Sequence, residues 1–215
     1  MARAEPAPRN TGTREVILET AERLFAERGF VATSVRDIVG EAETSAPSLY
    51  HFFGSKENLL VELVADRYES YCDALEAHLA TATTAFEVCK QLIDFVLTNM
   101  SQQPNTAKFL FSIMFGPQQD IPKEPLQELL VRWELIVHKR LVRVAPDAPE
   151  ERIVFARTML NGMITPPVLL FLTSGITVFP DDLSTCFALR VADVLTDRHP
   201  VCALPSFAVD EDRAD

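Results

Sequence analysis

The chain has 215 residues, 47% of them hydrophobic, with 14 phenylalanines, only 7 glycines and a formal net charge of -11. This composition supports a sizeable core in one or two compact units, and with few stretches that read as alternating strands it points to an all-α protein. The acidity excludes a broad basic field for binding polyanions, so any nucleic-acid contact has to come from a few placed groups. Residues 1–60 carry seven Lys/Arg and nine Asp/Glu, so the excess of acid lies mostly beyond them.

Residues 1–12 mix Ala, Pro, Arg and polar residues and read as a disordered arm, from which Arg3 and Arg9 could reach a minor groove. A helix is expected from about Thr13, with Ile17, Ala21, Leu24 and Phe25 on one apolar stripe and Gly29 as its stop. A second starts at Thr33 or Ser34, where Ser34 and Asp37 fit a capping box; Val35, Ile38, Val39 and Ala42 form its buried side. After a short break at Glu43-Thr44, Ser45 caps a third helix with Pro47 in its first turn, and Gly54 ends it. Ser55 opens a fourth, whose apolar face begins with Leu59, Leu60, Leu63 and Val64.

Further helices are expected near 55–80, 85–102, 105–115, 122–145, 149–174 and 181–197, punctuated by Pro104, Gly116-Pro117, Pro146, Pro149, Gly175 and Pro180. Residues 198–215 read as a loose acidic tail. No charge occurs between Arg157 and Asp181, but Asn161, Gly162, Pro166 and Pro167 favour a buried, Pro-kinked helix over a membrane span. Cys72, Cys89, Cys186 and Cys202 form no C-x-x-C pair and read as free thiols. The N-terminus has no apolar stretch of the secretory kind, so a cytoplasmic protein is expected.

Three short helices with a tight turn before the third are what a DNA-reading helix-turn-helix needs, although generic three-helix bundles share the spacing. The run T-R-E-V-I-L-E-T-A-E-R-L-F-A-E-R-G-F-V-A-T-S-V-R-D-I, followed by S-L-Y-H-F-F-G-S-K-E-N-L-L, resembles the N-terminal domain of TetR-family repressors over residues 13–64. The resemblance implies a DNA-binding head at 13–58 and a helical ligand-binding and dimerisation domain at 59–197. It also implies a homodimer that binds a palindromic operator in double-stranded DNA and is released by a small apolar or amphipathic effector. The chain departs from the family pattern where Glu43 stands at a turn position often held by Gly, and where Ala46-Pro47 stand in place of a basic residue and Gly.

Carried over residue by residue, the resemblance makes Thr33, Ser34, Arg36, Ser45, Ala46, Pro47, Ser48, Tyr50, His51 and Lys56 the DNA-binding set. Thr33 would cap its helix, donate to a phosphate, or do both. Arg36 would reach a phosphate or a guanine edge unless it pairs with Asp37 or Glu41. Ser45, Ala46, Pro47 and Ser48 would face base edges with hydroxyls and apolar surface. Tyr50 and His51 would bind phosphates, and Lys56 would clamp one.

Phe95, Phe109, Phe111, Met114, Phe115, Trp133, Met159, Met163 and Phe171 supply apolar and aromatic surface for an effector pocket, with Asn99, His138, Asn161 and Thr165 as polar anchors. Leu183, Phe187, Val191 and Val194 recur at helical spacing and suit a dimer seam. There is no G-x-S-x-G, P-loop or H-E-x-x-H, and His51 has no second His or Cys at helical spacing, so neither an enzyme, a cofactor nor a metal is expected. Two other readings stay open: a small-molecule-binding helical dimer with a degenerate DNA head, and an accessory protein acting through protein contacts.

Overall fold

A computed structural model describes the backbone over 9–115 and 123–196, and the side chains over 12–113 and 131–196. The expectations for Arg3, Cys202, the acidic tail and the side chains of Arg9, Met114 and Phe115 therefore lie outside the described residues. Within the described residues the elements are α1 (Arg9–Arg28), α2 (Val35–Glu41), α3 (Ala46–Phe53), α4 (Lys56–His78), a 3-10 turn (Leu79–Thr81), α5 (Ala85–Gln102), α6 (Pro104–Phe115), α7 (Lys123–Val144), α8 (Glu150–Ser174) and α9 (Leu183–Thr196). No strand occurs among them.

α1 begins at Arg9, four residues before the expected start, so part of the supposed arm is helical. Asn10 and Gly12 are weak helix formers, but extending an existing helix adds a hydrogen bond per residue without a new nucleation cost. Ile17, Leu18, Ala21, Leu24 and Phe25 are buried along its inner side. Ile38 of α2, Leu49 and Phe53 of α3, and Leu59, Leu60 and Leu63 of α4 close the core of the head.

Head and body are one continuous packing unit. α4 runs unbroken from the head into the body, so the boundary expected at residue 59 falls inside a helix. α6 packs on α1, with Phe25 stacked on Phe109 at 6.4 Å between ring centroids. In the body α4 lies on α7, and α9 packs on α5 and α8. Buried Arg152 donates to the Val194 carbonyl at 2.7 Å, satisfying an acceptor in the last turn of α9.

α8 continues through Pro166 and Pro167, which have no N–H to offer the carbonyls one turn back. It is long and apolar enough to cross a membrane by length and composition, and only 33% of its most apolar window is buried. The expectation of a buried helix therefore holds for one side only. Ile153, Ala156, Leu160, Ile164, Val168 and Phe171 face the core, while Thr158, Gly162, Pro166, Leu169, Leu170 and Thr173 are exposed.

Candidate nucleic-acid interface and effector pocket

The presentation of α2 and α3 is set by local hydrogen bonds. The Ser34 hydroxyl accepts the Asp37 N–H at 3.2 Å, and the Asp37 carboxylate accepts the Ser34 N–H at 2.9 Å. The side-chain hydrogen bond from Ser34 is the main cause holding the Asp37 carboxyl below its ordinary pKa. At α3 the Ser45 hydroxyl accepts the Ser48 N–H at 3.3 Å and lies 2.9 Å from the Ser48 hydroxyl. Two hydroxyls sharing one bond leave one O–H free for an outside acceptor.

Between them lies the turn. Ala42 closes α2, and the Thr44 N–H reaches back to the Val39 carbonyl at 3.0 Å, the six-to-one bond of a Schellman motif. That motif needs a left-handed residue, which is Glu43, with φ 49°. A side chain in this region costs about 1 kcal/mol relative to glycine. Glu43→Gly should therefore raise the melting temperature by about 2–4 °C and, by removing an exposed carboxylate, strengthen DNA binding. An unchanged or lower melting temperature would count against strain at this turn.

The exposed face of the head gathers Ser34, Arg36, Glu43, Ser45, Pro47, Tyr50 and His51. Ala46 and Ser48 are half-buried at its edge. Among the described residues Arg36 forms no ion pair: the carboxylate of Asp37 is held by Ser34, while that of Glu41 is taken by Arg23 and by Arg28 at 3.2 Å. Its charge remains available on the surface.

Two expected DNA ligands have other duties. Thr33 is fully buried, and its hydroxyl donates to the Gly29 carbonyl at 2.8 Å, tying the end of α1 to the start of α2. It cannot meet a phosphate, because no part of it reaches solvent. The Lys56 ammonium donates to the carbonyls of Phe30 and Thr33 at 3.0 and 2.9 Å and lies 4.2 Å from the centre of the Phe30 ring. Its charge fixes the α1–α2 loop from below, so it is a clamp on the protein's own backbone.

In the body, three of the residues expected in a pocket converge on a fourth residue that sequence reasoning missed, and Phe171 joins them through Phe111. Tyr71 of α4 stacks on Trp133 at 5.9 Å and lies 5.0 Å from Phe95 and 6.5 Å from Phe111, which in turn meets Phe171 at 6.5 Å. Asn161 accepts the Trp133 ring N–H at 3.4 Å and donates to Glu134 at 2.7 Å. Thr165 donates to the Asn161 carbonyl and Asn99 to the Phe95 carbonyl, so both polar anchors are bonded to their own helices.

Other expected pocket residues lie elsewhere. Phe109 is fully buried against Phe25 at the junction of head and body. His138 sits 3.7 Å from Glu150, near the α7–α8 connection. Met159 and Met163 are half-buried on α8. Of the expected dimer residues, Val191 is fully buried in this chain's own core, since α9 packs along α5; Leu183, Phe187 and Val194 are half-buried. Cys72 and Cys89 are buried free thiols, Cys186 an exposed one; burial pushes the Cys89 thiol up to about 12.

Residues 17–63 match the family model described as bacterial regulatory proteins, tetR family. The N-terminal domain of this chain belongs to the TetR family. The HTH-type transcriptional regulator YxaF of Bacillus subtilis is 29% identical over 171 residues, covering 75% of this chain and 86% of that protein. The HTH-type transcriptional repressor KstR2 of Mycolicibacterium smegmatis is 38% identical over 137 residues, covering 60% and 63%. Among solved structures, the fatty acid degradation regulator FadR of Bacillus halodurans superposes with a TM-score of 0.70 at 18% identity, covering 92% of this chain and all of that one. FadR of Bacillus subtilis, solved in complex with stearoyl-CoA, gives 0.68 at 18% identity, covering 86% and 99%. At these identities the structures share the TetR fold of a helix-turn-helix head on a helical body.

Proposed function

We propose that this TetR-family protein is a repressor that binds a palindromic operator as a homodimer in the cytoplasm and is released by a small apolar or amphipathic molecule. The observation that carries the reading is the solvent-facing start of α3, where Ser45, Pro47, Tyr50 and His51 stand clear of the core, with Arg36 of α2 exposed on the same head. A helix N-terminus with one free hydroxyl proton and little bulk fits a major groove, and neighbouring phosphates accept from Tyr50, His51 and Arg36. With so few cations per head, affinity rests on two heads acting together.

The outer side of α8 supports the dimer. Thr158, Gly162, Pro166, Leu169, Leu170 and Thr173 form an uncharged stripe, flanked by half-exposed Leu189 of α9. A second copy covers it, burying both α8 helices against each other in place of the Val191 seam. The aromatic group around Tyr71 supports the effector pocket, and the bound stearoyl-CoA of the Bacillus subtilis structure shows that this fold can hold an amphipathic molecule.

The test is a titration with random-sequence duplex DNA at several salt concentrations. Tyr50→Ala should weaken binding about tenfold on every duplex and make its salt dependence shallower. Unchanged binding would remove α3 from the interface.

A further inference from the structure

The body carries an apolar cleft of about 790 Å³, formed by the start of α5, the connection between α7 and α8, the first turn of α8 and the last turn of α9. Ala85, Val144, Ala145 and Ala148 are half-buried on its walls and pack against the core, and the buried Leu195 lines it as well. Among the described residues the only charged groups on the walls are Asp147 and Arg152, and the Arg152 guanidinium already donates to the Val194 carbonyl. α8 starts after Pro149 without a side-chain cap, so the N–H groups of its first turn receive no side-chain acceptor. The cleft therefore offers apolar surface and backbone donors, with little charge to hold a polar ligand.

Thr196, the last residue of α9, is itself part of the cleft wall, so the chain leaves the described body at the cleft rim. The charges of residues 197–215 sit at the two ends of that stretch: Asp197 and Arg198 at its start, and Asp210, Glu211, Asp212, Arg213 and Asp215 beyond. Between them residues 201–209 read V-C-A-L-P-S-F-A-V, without a charge and with Val201, Leu204, Phe207 and Val209 as large apolar side chains. Burying such side chains is favourable in proportion to the apolar area removed from water. Five residues separate Thr196 from Val201, an extended reach of about 17 Å, and the position before Pro200 favours the extended form. Tethered at the rim, this segment meets the cleft at a far higher effective concentration than a free molecule or a second copy does.

We propose that the cleft is the docking site for residues 201–209 of its own chain, with Leu204 and Phe207 covering the apolar walls and backbone carbonyls of the segment accepting from the uncapped first turn of α8. Pro200 and Pro205 carry no N–H, which leaves fewer donors to be satisfied there. Docked in this way, the segment straps the α7–α8 connection to the start of α5 and the end of α9, and the acidic residues after 209 stay in water. The inference does not depend on the protein being a repressor.

Cys202 lies inside the segment and reports on it. Cys186 is exposed on α9 and serves as the reference, while Cys72 and Cys89 are buried. The reduced full-length protein is treated with N-ethylmaleimide, and the alkylation rate at each cysteine is read by mass spectrometry. Leu204→Ser together with Phe207→Ser should speed alkylation of Cys202 at least about tenfold and leave Cys186 unchanged. Ala85→Asp should do the same from the other side of the contact. It puts a carboxylate on the cleft wall at the first position of α5, where a helix N-terminus favours negative charge, so the body stays folded and the melting temperature checks that it has. Equal rates at Cys202 in the wild type and the Leu204/Phe207 variant would overturn the proposal and leave the cleft to a small molecule. A slow Cys202 that stays slow in folded Ala85→Asp would overturn it by seating the segment elsewhere. Protection that disappears on tenfold dilution would overturn it by placing the segment on a second copy.

Discussion

Gly162→Arg should turn the protein into a monomer, with loss of operator binding of about 100-fold or more, while the fold of each chain survives. Gly162 is exposed on the outer stripe of α8, and a Cβ added there meets no atom within 4 Å. Within one chain the substitution is therefore favourable, because arginine is a better helix former than glycine by about 1 kcal/mol. Between two chains it places a long cation in the middle of an uncharged, closely packed seam, where it finds no carboxylate on either α8 stripe. The combination separates interface damage from misfolding. Sedimentation should report half the wild-type mass, with an unchanged or raised melting temperature. A dimeric mass in the variant would place the interface somewhere other than α8.

Lys56→Met should destabilise the head by about 2–4 kcal/mol, from two charge-assisted hydrogen bonds and one cation–π contact. The carbonyls of Phe30 and Thr33 lose their ammonium donor, and Phe30 loses the charge over its ring. Methionine keeps much of the stem's packing, so the loss reads the ammonium itself. The α1–α2 loop it holds aims α2, and through α2 the start of α3, so DNA binding falls as a consequence of a loosened head. Proteolysis within residues 29–34 and the melting temperature check this. A variant of wild-type stability with weakened DNA binding would restore Lys56 to the role of a phosphate ligand.

That reversal shows which parts of the molecule the residue order reveals. The caps at Ser34 and Ser45, the ends at Gly29 and Gly54 and the starts at Pro104 and Ala85 are local: each depends on residues within one helical turn, and each lies where the sequence places it. Glu43 belongs with them, because a turn that wants glycine strains whatever else stands there. The backbone bonds of Lys56 are invisible in the sequence because their acceptors are carbonyls 23 and 26 residues away. Nothing in the identity of a residue announces that its carbonyl will need a donor.

The body was less legible for a different reason. An apolar stripe such as Leu183, Phe187, Val191 and Val194 has the same period whether it meets its own chain or a second one, and only the packing of α9 on α5 assigns Val191 to the former. The pocket set suffers similarly: Phe95, Phe111, Trp133 and Phe171 converge, while Phe109, of the same chemistry and two residues from Phe111, faces the head. Tyr71 escaped notice because α4 reads as a connector. The signal that could have found it is Tyr68 and Tyr71 together on the inner side of that helix, both buried.

The most direct test is to select bound sequences from random duplex DNA with the full-length protein at low salt. A dimer of these heads should enrich an approximate palindrome whose half-sites are centred about one helical turn, or a whole multiple of turns, apart. Gly162→Arg should lose that enrichment. Recovery of no preferred sequence, or of a single unrepeated half-site, would contradict a dimeric operator-binding repressor.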